Sequence, residues 1–245
     1  MTNIMNRFNQ PVGAELSGWS GAKLPGEKSL EGRYCRLERI SAERHAADLY
    51  EAYCEAPDER DWTYLPSGPF ESEVSYRTSL QSAETLRDPL HYAVIDKASG
   101  KPSGTVALMR IDPANGVIEV GYVTYLPRMK RTRISTEVMA LLLRYVFEEL
   151  RYRRLEWKCD SLNAPSRAAA ERFGFRFEGI FRQAVVYRGR NRDTAWYSII
   201  DGEYPALRIA YEKWLAADNF DDDGNQQEKL GNLIAKMRQD EPQYR

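Results

Sequence analysis

Residues able to do chemistry cluster in two stretches of this 245-residue chain. The first is "VIEVGYVTYLPRMKRTRISTEVM", residues 117–139. Glu119 sits there among apolar neighbours and shares strand parity with Val117, Gly121 and Val123. A carboxylate in that company is expected to be partly buried, and burial raises its pKa. Further on, Arg128, Lys130, Arg131 and Arg133 place four cations within six positions and run straight into a helical pattern. A helix N-terminus offers unpaired N–H groups and the positive end of the helix dipole, so a strand, a basic turn and a helix predict an anion site, phosphate above all. A solvated basic loop is the alternative. The second stretch, "RLEWKCDSLNAPSRAAAERFGF", sets Asn163 to cap a short helix and Ser166 in that helix's first turn.

Composition removes several classes of function. Lys+Arg (35) and Asp+Glu (36) nearly cancel, so the basic cluster is local, which argues against a dedicated nucleic-acid binder. The three cysteines, Cys35, Cys54 and Cys159, form no C-x-x-C pair, and His45 and His91 complete no metal-ligand spacing. A reducing cytoplasm and no metal are expected. No apolar run approaches the ~20 residues of a membrane span, which leads us to expect a soluble, intracellular protein. The basic turn matches neither G-x-x-x-x-G-K-[ST] nor G-x-G-x-x-G, because no glycine lies between Gly121 and Gly174.

The elements that must position these residues follow from periodicity and turn signals. Strands are expected at 32–40, 91–96, 103–111 and 117–125, with helices at about 41–53 and 71–86 and an aromatic loop, "DWTYLPSGPF", between them. The helix after the basic turn is expected to start near Ser135, with Val138, Leu141, Leu142, Tyr145, Val146 and Leu150 as its apolar face. "RLEWKCD" alternates Leu155, Trp157 and Cys159 against Glu156, Lys158 and Asp160, the pattern of a half-buried strand. Cys159 reads as a small buried apolar group. Asn163, Pro165 and Gly174 frame a short helix. A hairpin of 175–186 with 194–200 and a helix over 204–215 complete the core, a mixed α+β sheet with helices on its faces. About 190 core residues would bury roughly 70% of the surface their unfolded chain exposes. Residues 1–24 read as an extended arm, 25–217 as one domain, and 218–245 as an acidic linker with a short amphipathic helix through Leu230, Leu233, Ile234 and Met237.

In this order and spacing, the segments from about residue 30 to 215 resemble the GNAT superfamily of acetyl-CoA-dependent N-acetyltransferases. Within it they resemble the branch that includes ribosomal-protein N-terminal acetyltransferases. The family pattern Q/R-x-x-G-x-G/A after a strand falls on Lys130, Arg131, Thr132, Arg133, Ile134 and Ser135. The later N-x-x-S/A, before a short helix ending in G-F, falls on Asn163, Ser166 and Gly174-Phe175. Lys130 replaces Gln or Arg, Arg133 replaces a glycine, and Ser135 replaces Gly or Ala.

The resemblance implies a central mixed, mostly antiparallel sheet flanked by helices on both faces. It implies acetyl-CoA as co-substrate, its pyrophosphate on the backbone N–H groups of residues 130–135 and its pantetheine arm along Val123 and Tyr125, with Asn163 as a helix cap or as a cap that also contacts the pantetheine. A backbone N–H near Val120 would polarise the thioester carbonyl. Glu119 falls where histone-type relatives place a general base. Ala170 stands where many relatives have a tyrosine, which leaves the Ser166 hydroxyl to meet the leaving thiolate. Trp62, Tyr64 and Tyr187 would line a pocket for an amine acceptor; Arg190, Arg192 and Asp193 lie near that end, most of them read as a solvated hairpin. A homodimer is implied, a membrane or nucleic-acid partner is not. Ala170 and the missing glycines motivate a rival expectation, a CoA-binding protein with reduced or lost catalysis.

Overall fold

Strand alternation in this chain feeds two separate cores. Along residues 90–96, Tyr92 and Val94 pack into the larger one while Ala93 and Ile95 pack into the smaller. The computed structural model describes residues 4–238. A small outlying hairpin pairs β1 (Ile4–Met5) with β2 (Pro11–Val12). The main sheet contains β3 (Leu30–Glu31), β4 (Cys35–Arg39), β5 (Leu90–Asp96), β6 (Pro102–Asp112), β7 (Val117–Tyr125), β8 (Arg154–Asp160), β9 (Arg176–Tyr187) and β10 (Arg190–Ile200). Their order is β3-β4-β5-β6-β7-β8-β10-β9, and every neighbouring pair is antiparallel except β7 with β8. That is the expected mixed, mostly antiparallel α+β sheet. Helices α1 (Ala42–Cys54) and α2 (Glu73–Thr85) cover the smaller core; α3 (Arg133–Arg144), α5 (Tyr204–Leu215) and α6 (Leu230–Met237) cover the larger. Helix α4 (Ala164–Arg172) follows β8.

Several local expectations are corrected. The strand foreseen at 32–40 is interrupted, because the buried Glu137 carboxylate of α3 accepts the N–H groups of Arg33, Tyr34 and Cys35, each at 2.7 Å. A Cβ on Gly32 would lie 2.5 Å from that carboxylate, so the close approach requires glycine. Helix α3 starts at Arg133, two residues earlier than expected. The last hairpin closes through Arg188 and Gly189 alone, both at positive φ (48° and 69°), which fits a two-residue turn and extends both strands. Strand β8 is not half-buried. Glu156 (6% exposed) and Asp160 (5%) are buried on its polar face, as are Leu155 and Trp157 on the other. The C-terminal stripe of Leu230, Leu233 and Ile234 packs into the chain's own larger core.

Strand β7 carries a further irregularity that matters for function. Its pairing with β6 shifts between Ala107↔Gly121 and Thr105↔Thr124, and Tyr122 at the shift has φ +48°. A bulge inserts one residue and reverses parity beyond it. Ile118 and Val120 join the larger core before the bulge; Val123 and Tyr125 pack against it afterwards. Val123 therefore leaves the face of Glu119 that simple alternation assigned it.

Candidate active site

The parallel pair supplies the opening. β7 and β8 are in register from Val117↔Arg154 to Val120↔Trp157 and no further, although β7 runs on to Tyr125 and β8 to Asp160. Past Val120 and Trp157 the strands part, and their facing N–H and C=O groups no longer serve each other. An extended chain can enter such a gap and pair with strand backbone. The bulge at Tyr122 lies on the wall of this gap.

At the far end of β7 the basic turn meets α3. Thr132 is the N-cap, but its hydroxyl donates to the Met129 carbonyl (2.7 Å) and no side chain caps the helix. Arg131 has φ +63°. The Ser135 hydroxyl turns back to the Thr132 carbonyl (2.7 Å). The first-turn N–H groups are thus left without a side-chain acceptor, the donor set that suits a phosphate. Most of the positive side chains are held elsewhere. Lys130 pairs with Asp61 (2.5 Å) and Arg128 with Glu55 (2.7 Å). The Arg133 guanidinium lies 3.8 Å from the centre of the Phe220 ring and 5.6 Å from that of Tyr34. Arginine in place of the family's glycine therefore leans on the C-terminal segment. Within the turn the N–H groups of Lys130 and Thr132 already donate to the carbonyls of Leu126 and Pro127 and of Met129, so the open donors are those of the first turn of α3.

Glu119 is 4% exposed. Its carboxylate accepts from Arg110 at 2.9 Å and pairs with Lys158 at 3.0 Å; Lys158 also reaches Glu156 at 2.6 Å. The Lys158 ammonium stands 3.7 Å above the Trp196 ring. Burial pushes the Glu119 carboxyl above its ordinary value, and Glu156 adds to this; Lys158 and Arg110 pull the other way without cancelling it. Arg110 reaches Glu119 from a second irregular strand position, φ +48°, where the Asp88 carboxylate takes the N–H groups of Arg110 (2.8 Å) and Ile111 (3.0 Å).

On the opposite face, Asn163 caps α4 by accepting the Ser166 N–H at 3.1 Å. The Ser166 hydroxyl accepts the indole N–H of Trp157 at 3.0 Å. Indole only donates, so the hydroxyl keeps its own proton for another acceptor. Trp157 is the last β8 residue in register with β7, which puts Ser166 beside the point of parting. Cys159 is buried; burial raises its thiol pKa, against a lowering contact from Ser166. Ala170 is fully buried.

Of the residues foreseen for the acceptor pocket, Tyr64 and Tyr187 come together and Trp62 does not join them. The Tyr64 hydroxyl donates to the Leu162 carbonyl (3.1 Å) and the Tyr187 hydroxyl to Asp160 (3.1 Å). Both line a cavity of about 640 Å³. Trp62 packs instead against Tyr53 and Phe70 in an aromatic cluster under the loop. Arg110, Lys158 and Asp160 were missed as site residues. The signal was in the sequence, since Glu156, Lys158 and Asp160 form a strictly alternating charged row; what hid it was the assumption that such a row faces water. Among the described residues no cluster of His, Cys, Asp and Glu could hold a metal ion, and no helix is long and apolar enough to cross a membrane.

Comparison with known proteins shows the family and the fold. The family model for the acetyltransferase (GNAT) domain matches residues 35–176, more than half of the chain. A crystal structure of a GCN5-related N-acetyltransferase from Brucella melitensis is 49% identical, covers 90% of this chain and 100% of its own, and superposes with a TM-score of 0.88. A Bacillus subtilis (strain 168) protein provisionally named ribosomal N-acetyltransferase YdaF is 31% identical over 105 residues, 43% of this chain and 57% of that protein. A structure titled RimL, ribosomal L7/L12 alpha-N-protein acetyltransferase in complex with coenzyme A, is 19% identical with a TM-score of 0.57, covers 71% of this chain and 99% of its own, and shares the fold.

Proposed function

The chain belongs to the GNAT acetyltransferase family, and from that premise we propose that it transfers the acetyl group of acetyl-CoA to a primary amine by direct attack in a ternary complex. The observation that carries this reading is the parting of β7 and β8 past Val120 and Trp157, next to a helix N-terminus without a side-chain cap. In the proposed complex the turn of residues 130–135 holds the pyrophosphate, chiefly through the first-turn N–H groups of α3 because those of Lys130 and Thr132 are already engaged, and the exposed edge of β7 at Val123 and Tyr125 pairs with the pantetheine arm. Asn163 fixes the turn on the other side. A backbone N–H near Val120 faces the carbonyl oxygen and stabilises the charge that grows there.

The amine attacks from the face of Glu119. A C–N bond forms, the C–S bond breaks, and the nitrogen gives up a proton to Glu119, directly or through water. The Ser166 hydroxyl donates to the departing sulfur. Tyr64 and Tyr187 contact the acceptor; Trp62 acts behind them by supporting the loop. Glu119 suits a base because burial raises its proton affinity above that of an ordinary carboxylate, while Lys158 and Arg110 pull the other way without cancelling the rise. Those two cations, with Ala170 in place of a tyrosine, are also what favours the rival reading of CoA binding without catalysis.

We extend the proposal to a cytoplasmic homodimer in which 25–217 is the catalytic domain, 1–24 an arm and 218–245 a linker and helix; residues 1–3 and 239–245 lie outside the described residues. Calorimetry with acetyl-CoA tests the binding claim, and no heat at millimolar ligand overturns it. Thiol release from acetyl-CoA across peptides and small amines, repeated with Glu119→Gln, then separates the two readings: turnover that this substitution abolishes supports transfer, and binding without any turnover supports the rival.

A further inference from the structure

Asp160 ends β8 in an unusual setting. It is 5% exposed, yet it lines the cavity shared by Tyr64, Tyr187, Arg188, Arg190 and Asn191. Its Oδ1 accepts the Leu162 N–H at 2.9 Å and its Oδ2 the Tyr187 hydroxyl at 3.1 Å. An ionised carboxylate has about four acceptor sites, so roughly half its capacity is open. Beside it, Thr194 is its cross-strand partner on β10, 4% exposed, with an Oγ1 that has no hydrogen-bond partner; the Nε of Arg192 is likewise buried and unpartnered. Buried polar groups are nearly always satisfied, so a cavity-lining carboxylate with open acceptor sites, beside two unpartnered groups on the neighbouring strand, points to a polar ligand.

The cavity's place along the sheet says what that ligand is. Asp160 lies three residues past Trp157, the last residue in register with β7. At ~3.3 Å per residue this is about 10 Å from where the strands part, the length of about three extended residues. A small amine reacting at the parting would not reach it, whereas a peptide would. The mouth is cationic. Arg188 at the hairpin tip donates to the Gly68 carbonyl and ties the hairpin to the aromatic loop, and Arg190 lines the same wall. Among the described residues neither has a carboxylate partner within ion-pair distance.

We propose that this cavity is a subsite for the second to fourth residues of an acceptor peptide and that it selects acidic ones. Asp160 and Thr194 take backbone N–H and C=O groups of the peptide, and Arg188 and Arg190 take its carboxylates. The inference rests on the acetyl-transfer reading and names its acceptor class. Asp160 and both arginines are specificity residues.

The test uses three ten-residue peptides with free N-termini, identical except for three Glu, three Ala or three Lys at positions two to four, and a short alkylamine. Thiol release from acetyl-CoA and acetyl-CoA calorimetry are both measured. The Glu peptide is expected to exceed the Lys peptide by about tenfold or more in kcat/KM, consistent with charge complementarity across an interface. That preference should collapse in the doubly substituted Arg188→Glu, Arg190→Glu protein, both exposed positions. Asp160→Asn should raise KM for all three peptides while acetyl-CoA affinity holds. Equal rates, a Lys preference, a preference that survives the double substitution, an alkylamine as good as the Glu peptide, or acetyl-CoA binding with no peptide acetylated each overturn this inference and leave CoA binding standing. Failure of acetyl-CoA itself to bind overturns the underlying reading as well.

Discussion

The parallel strands β7 and β8 each run into a helix, and the two turns solve the same problem in opposite ways. At α4 the Asn163 side chain takes the Ser166 N–H, so the helix start is closed and what it presents is a hydroxyl. At α3 the cap residue Thr132 turns its hydroxyl to the Met129 carbonyl, and the first-turn N–H groups are left for an outside anion. Local sequence does not announce the difference, because Asn and Thr are both good caps. The use to which each cap oxygen is put decides whether a helix N-terminus is a structural end or a binding surface. The same division runs through the chemistry: the proposed base, Glu119, belongs to the β7 unit and the proposed acid, Ser166, to the β8 unit.

That contrast can be broken at several points. The largest effect is expected from Glu119→Gln, which should lower kcat by about 10²–10⁴ while acetyl-CoA affinity by calorimetry stays unchanged, the range for loss of a general base. Its pH dependence sharpens the claim. Since burial raises the Glu119 pKa above its ordinary 4.5, and the base must be ionised, wild-type kcat/KM should rise with pH through that elevated pKa. The amine must also be neutral, with a pKa of about 7.7–8.0 for an α-amino group, so the acid side should steepen toward a log slope of about two. Glu119→Gln should keep only the amine's slope of about one; an unchanged profile would remove Glu119 from the mechanism.

Next is Ser166→Ala, expected to lower kcat by about tenfold or somewhat more, with acetyl-CoA affinity retained, if the β8 unit supplies a proton to the sulfur. A third test separates backbone from side chain at the β7 turn. Arg133 is the first residue of α3, where proline fits helix geometry, and Thr132 before it is already extended (ψ 171°). Arg133→Pro removes one N–H and should weaken acetyl-CoA binding by about tenfold, on the scale of a lost charge-assisted hydrogen bond. Arg133→Ala removes only the guanidinium stacked on Phe220 and should change affinity by less than about threefold, as a cation–π contact at a partly exposed site would. Equal losses in both would return the role to the side chain. The smallest effect is expected at the closed turn: Asn163→Ala should cost about 1 kcal/mol of stability, a fall in Tm of roughly 2–4 °C, with little change in acetyl-CoA affinity.

Much of this was legible along the chain. The bounds of β7 and α5 and the Asn163 cap follow from alternation, helical period and turn chemistry, all properties of neighbours in sequence. The site was less so. Glu119 stood out because a lone carboxylate breaks an apolar strand. Lys158 and Asp160 did not, because an alternating charged row is the ordinary mark of a solvated face, and it takes side chains from other strands, Trp196 and Glu119 on Lys158 and Tyr187 on Asp160, to enclose it. Trp62 shows the converse. Its type and loop suggested a pocket wall, but Gly68 lets the loop fold tightly over the ring, which packs against Tyr53 and Phe70.

By itself, then, the sequence determined which segments become strands and helices and that a basic turn links β7 to α3, since these depend on periodicities of two and 3.6 and on a few turn residues. Tertiary structure alone decided what the turn's charges do. Lys130 and Arg128 are drawn off by Asp61 and Glu55 from the α1–α2 region, and Arg133 by Phe220 near the C-terminus, partners tens of residues away. It also decided that β7 and β8 part after Val120 and Trp157, because the register of two parallel strands is set by everything packed on their faces and by the bulge at Tyr122. The strand edges freed by that parting join the locally encoded, uncapped start of α3 to make the candidate site.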